Sequence, residues 1–149
     1  MTKSEHVYVM YIASTPKRIF DAIVKPEFAR EYWGHENVSD WRPGSTWEHR
    51  RPDGSQAPSI LGEVIEARPP HRLVITWANP SDRARRDKHS RVTFDLESLT
   101  GMVRLTVTHD ELDAGSDMER AIVNGWPRVL SSLKSLLETG HALPTWARG

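Results

Sequence analysis

His49 and His109 are the residues best suited by type and spacing to do chemistry. Each falls at an inward position of an alternating run, Trp47-Glu48-His49 and Val103-Arg104-Leu105-Thr106-Val107-Thr108-His109, because successive strand residues point to opposite faces. An imidazole on an inner face can act as acid, base or polar contact to a ligand. It can equally be a core histidine satisfied by internal partners. Tryptophan supplies the second candidate chemistry. Six of them in 149 residues offer broad apolar faces with one N–H donor each, which suits flat or hydrophobic ligands in a concave site. The competing use is packing, since large aromatics also fill cores. Trp33, Trp41, Trp47, Trp77 and Trp126 fall where an inner face is expected, with Phe94, Leu105 and Ile122 beside them. With His49 and His109 these form the candidate ligand-binding set, and no residue is assigned a catalytic role.

Other chemistries lack their residues. Without cysteine there is no thiol nucleophile, thiolate metal site or disulfide. Glu48-His49 and His109-Asp110-Glu111 are strand neighbours that diverge, so spacing builds no metal site, and nothing calls for a cofactor. No glycine-rich phosphate loop follows a strand, and no serine sits in a nucleophile elbow. Asp40, Glu63 and Glu66 are carboxylates a cavity mouth could use, Asp40 beside Trp41 being the first to test, although strand charges ordinarily mark the wet face. Equal counts of 20 basic and 20 acidic residues remove the electrostatic basis for a nucleic-acid partner. Met1 to Ala13 is too short and too polar for a signal peptide or membrane span. A cytoplasmic protein that does not insert into membranes is therefore expected.

The elements that must position these residues are legible in outline. His6 to Ala13 is rich in β formers, and Ser14-Thr15-Pro16 then reads as a helix cap with proline at the first helical position. Ile19, Phe20, Ile23 and Val24 make a helical stripe that stops at Pro26, and Glu27 to Tyr32 can form a second short helix. From Asn37 onward, strands alternate with turn signals at Pro43-Gly44, Asp53-Gly54, Pro69-Pro70, Asn79-Pro80 and Thr100-Gly101. Val92, Phe94 and Leu96 share one face, as do Val103, Leu105, Val107 and His109, with Leu73, Ile75 and Trp77 extending it. The charge run Asp82 to Lys88, before the fifth strand in this reading, is expected to be a solvated loop.

Met118, Ile122, Trp126, Val129, Leu133 and Leu136 then fall at gaps of three and four, the spacing of one face of a long helix. Ser116 with Glu119 reads as its capping box and Gly140 as its stop. Pro127 is anomalous inside such a helix. Either it kinks the helix and leaves the Val123 carbonyl unpaired toward a cavity, or the continuous helix begins there. A curved antiparallel sheet with one apolar face must bury that face, and this helix is the one large amphipathic element left to cover it.

This order, carried by Ala13-Ser14-Thr15-Pro16, Tyr32-Trp33, Ser39-Asp40-Trp41, Gly62-Glu63-Val64, Thr76-Trp77, Leu105-Thr106-Val107-Thr108-His109 and Gly125-Trp126-Pro127, resembles the α+β helix-grip fold of the START and SRPBCC superfamily. Within it, the chain resembles the branch named for homologues of the activator of Hsp90 ATPase. The resemblance implies a single domain over residues 1–149 with its core between about 5 and 140. A curved antiparallel sheet would wrap a long C-terminal helix, with two short helices after the first strand. It also implies an apolar cavity between sheet and helix that takes a small hydrophobic, aromatic or lipid-like molecule. Two alternatives come with it. One is a cyclase, aromatase or hydrolase using the same cavity, for which no acid and base are brought together by spacing. The other is a protein-interaction module, with a chaperone of the Hsp90 type as partner. Homodimerisation through an edge strand or the helix face is compatible with the residues.

Overall fold

The computed structural model describes residues 2–55 and 57–144. The first strand, β1 (Lys3–Ile12), leads to two short helices, α1 (Pro16–Val24) and α2 (Pro26–Trp33). Six strands follow: β2 (Glu36–Ser39), β3 (Thr46–Arg50), β4 (Pro58–Arg68), β5 (Arg72–Trp77), β6 (Ser90–Leu99) and β7 (Met102–Asp113). The last element, α3, spans Asp117–Thr139. All seven strands form one antiparallel sheet in the order β1-β7-β6-β5-β4-β3-β2. This is the helix-grip architecture that the family resemblance implies.

Local chemistry explains the boundaries. Thr15 caps α1 by accepting the Arg18 N–H, with Pro16 next to it. Ser116 accepts the Glu119 N–H at 3.1 Å while the Glu119 carboxylate reaches back to the Gly115 N–H at 2.8 Å, a reciprocal cap displaced by one residue. Gly140 ends α3 in the left-handed region and donates its N–H to Leu136. The sheet is bent in β4. Its first half pairs with β3 and its second half with β5, across an irregularity between Val64 and Glu66.

The helix α3 runs unbroken through Pro127, so the alternative start at Pro127 is not what the chain adopts. Nor does the freed carbonyl point inward. Val123 is 41% exposed and Pro127 is exposed, which turns the missing hydrogen bond toward water, where it costs least. Ile122, Trp126, Val129, Leu130 and Leu133 face the core. There α3 rests on β1 and β7 and against α1 and α2.

The run Asp82 to Lys88 precedes the sixth strand, because the short β2 adds one to the count. It runs from the end of one 3-10 turn, Pro80–Asp82, through a second, Arg86–Lys88, and is tied to the sheet by Arg86–Glu63 at 2.9 Å and Lys88–Asp113 at 3.5 Å. Among the described residues no helix is long and apolar enough to cross a membrane.

Candidate functional site

The first turn of α3 is tied to β1 through Glu119, which bonds Ser4 and His6, and between the N-terminal half of α3 and strands β3–β5 a cleft of about 210 Å³ opens. Each wall has a local cause. Gly34, left-handed at φ 77°, ends α2 and turns the chain so that Trp33 and His35 both reach the cleft. His49 comes from β3, Ser59 and Ile60 from β4, and Trp77 from the end of β5. The roof is the α3 face of Met118, Ala121, Ile122, Gly125, Trp126 and Val129. No lysine, arginine, aspartate or glutamate is among these residues.

The expected site residues divide in two. Trp33, His49, Trp77, Ile122 and Trp126 line the cleft. Trp47, Phe94, Leu105 and His109 do not, and each is essentially sealed in the core. Trp47 lies beneath Trp77 with ring centres 5.5 Å apart and donates its indole N–H to the Thr76 carbonyl at 2.7 Å. Phe94 meets Trp126 edge to face at 5.9 Å. Trp41 is half-buried and stacks on Trp47 at 6.5 Å, in the β2–β3 loop away from the cleft. Asp40 is exposed, and Glu63 and Glu66 are engaged by Arg86 and by Arg68 and Arg72. None of the three carboxylates lines the cleft. Trp146 lies outside the described residues.

His109 is a structural residue. The Trp126 N–H donates to its Nδ1 at 3.0 Å, so the proton is on Nε2, which donates to Ser90 Oγ at 2.8 Å. The Ser90 hydroxyl in turn donates to the Trp77 carbonyl at 3.0 Å. With both nitrogens used and the side chain fully buried, burial pushes the imidazole down to about 3. A neutral histidine thus pins the cleft-lining Trp126 to the sheet, and its expected role as a ligand contact does not fit.

His49 is different. Asn37 lies opposite it in register and donates to the Ile23 carbonyl at 2.7 Å, which turns its own oxygen to His49 Nδ1 at 2.6 Å. The proton is therefore on Nδ1, and Nε2 is an acceptor with no partner among the described residues. His35 stacks nearly parallel on His49, ring centres 4.5 Å apart. Its own ring bonds the Trp33 backbone and Ser59 Oγ. Burial, with His35 close by, holds His49 well below the ordinary histidine range. A second polar atom is also unpaired: Trp77 Nε1 is buried without a hydrogen-bond partner among the described residues. The sequence did not single out Asn37, Ser90 or His35. Only the strand register, which sets Asn37 across from His49, reveals the first of them. Among the described residues no group of three or more His, Asp or Glu could hold a metal ion.

A sequence model of the family described as Activator of Hsp90 ATPase homolog 1-like protein matches residues 13–138. A search of curated proteins finds no match. Among solved structures, the Aha1 dimer from Colwellia psychrerythraea is 21% identical, with TM-score 0.72 over 94% of this chain and 98% of that one. CalU16 from Micromonospora echinospora is 19% identical, with TM-score 0.72 over 97% of this chain and 80% of that one. An Hsp90 activator from Plasmodium falciparum is 21% identical, with TM-score 0.70 over 89% and 95% respectively. At these identities the likeness establishes the shared fold.

Proposed function

The chain belongs to the Activator of Hsp90 ATPase homolog 1-like family, and from that premise we propose that it binds a small, flat, hydrophobic or aromatic molecule in the cleft between α3 and β3–β5. The observation that carries this reading is an open, uncharged cleft walled by Trp33, Trp77 and Trp126, a combination that favours apolar ring systems. Its size narrows the ligand. A cavity of about 150 Å³ accommodates benzene, so about 210 Å³ suits one or two fused rings better than a long acyl or polyketide chain.

Gly125 provides the test. It lines the cleft, and a Cβ added there meets nothing within 4 Å. Gly125→Leu should therefore fill the cleft while removing a helix-destabilising glycine, a gain of roughly 0.8 kcal/mol. The expected result is at least tenfold weaker binding of naphthalene, followed by tryptophan fluorescence, with an unchanged or higher melting temperature. Equal binding by the variant sinks the assignment of the cleft.

A second reading, association with protein, draws on β1. This edge strand exposes Val7, Val9 and Tyr11 at 53%, 51% and 47%, and open edges pair readily with other strands. The Colwellia relative is described as a dimer and the Plasmodium relative as an Hsp90 activator. Self-association through β1 gives a dimer in sedimentation velocity that Val9→Lys dissociates. A wild-type protein that stays monomeric at high micromolar concentration removes it.

A further inference from the structure

One unsatisfied polar atom of the cleft specifies more than shape. His49 Nε2 is a lone-pair acceptor without a partner among the described residues, on a side chain that is more than nine-tenths buried and lines the cleft. Unlike Trp77 Nε1 it is not among the fully enclosed unpaired atoms, so a hydroxyl in the cleft can reach it. A ligand that donates a hydrogen bond to it gains over one that only fills space.

The surroundings set the ligand's charge. No cationic or anionic side chain lines the cleft, and a charged ligand would lose its hydration without compensation. The acceptor is also held in place. Asn37, fixed by the Ile23 carbonyl, keeps the His49 proton on Nδ1, and His35 covers one face of the ring. His35 does not compete for the ligand, because Ser59 and the Trp33 backbone occupy it.

We propose that the cleft's ligand class is an uncharged hydroxyaromatic, a phenol or ring enol, whose hydroxyl donates to His49 Nε2. The proposal rests on the cleft being the ligand site, and a matched set of probes separates the two ideas. Naphthalene, 2-methoxynaphthalene and 2-naphthol share one ring system, and only 2-naphthol can donate. At neutral pH, 2-naphthol is expected to bind roughly tenfold more tightly than its methyl ether, the usual consequence of one matched hydrogen bond in a buried site. Partition into an apolar phase gives the opposite order, so hydrophobicity alone does not mimic this result. In His49→Phe, which keeps a ring against His35 and Trp33, the preference for 2-naphthol should vanish while naphthalene still binds.

Equal affinities for all three probes overturn the hydroxyaromatic assignment and leave the cleft as an apolar site. Failure of all three to bind overturns the cleft reading itself. Should His49→Phe not fold because Asn37 loses its partner, the probe series on the unaltered protein decides the matter alone.

Discussion

Gly62→Ala costs more than about 3 kcal/mol of folding stability, read as a fall in the urea midpoint or the melting temperature. At this position β4 crosses β5 so closely that a Cβ would sit 2.0 Å from the Thr76 carbonyl oxygen and 2.6 Å from its carbon. Neither strand can yield easily. The same Thr76 carbonyl accepts the Trp47 indole N–H at 2.7 Å, and Thr76 Oγ1 accepts the Glu63 N–H at 2.8 Å. Relief of the clash would break both bonds and draw Trp47 away from Trp77, whose ring forms part of the cleft wall. A variant within 1 kcal/mol of the parent would show that β4 and β5 are not in this close contact.

Acid destabilises the protein before its carboxylates titrate. A histidine buried in its neutral form has a folded pKa below the unfolded value of about 6.5. Between those two values the unfolded chain binds the extra proton, so stability falls as pH falls, by about 1.4 kcal/mol per unit for each such group. His109, pushed down to about 3, keeps this slope through the whole interval. By pH 4 it alone removes roughly 3 kcal/mol, a large share of the ~5–15 kcal/mol typical of a domain. His49 and His35, both lowered by burial, act in the same direction. The carboxylates follow lower down. Glu119, held to about 2 by its bonds from Ser4 and His6, loses its contribution only as pH falls below its ordinary range. Urea unfolding from pH 7.5 to 4 should therefore show a decline that begins near 6.5. His109→Gln should flatten it while lowering stability at neutral pH. Constant stability between pH 7 and 5 contradicts the buried neutral histidines.

The scaffold was largely legible because periodicity depends on which face a residue occupies. The stripe from Met118 to Leu136, the Ser116 cap and the Gly140 stop identified α3, and the alternation through Val92–Leu96 and Val103–His109 identified β6 and β7. Depth is another matter. Alternation turned Trp47, Phe94, Leu105 and His109 inward, yet whether an inward side chain meets the helix or an opening depends on where α3 crosses the sheet. That crossing is set by packing against β1, β7 and α2, contacts distant in sequence. The same limit applied to Pro127, whose cost depended on the face it occupies, and to Asn37, whose bond to His49 follows from the β2–β3 register. Trp41 was misjudged for a different reason: it follows the end of β2 with φ 58°, so strand alternation no longer governs its direction.

The most direct test of a ligand cleft roofed by α3 is a titration of the indole N–H resonances with 2-naphthol in two-dimensional ¹⁵N–¹H NMR. The tryptophans sample distinct places: Trp33, Trp77 and Trp126 line the cleft, and Trp41 stands apart on the β2–β3 loop. The expected result is saturable shifts of the Trp33, Trp77 and Trp126 signals with a common dissociation constant, while Trp41 stays fixed. Cleft indoles that do not move at a saturating probe concentration, or shifts concentrated at Trp41, contradict the account.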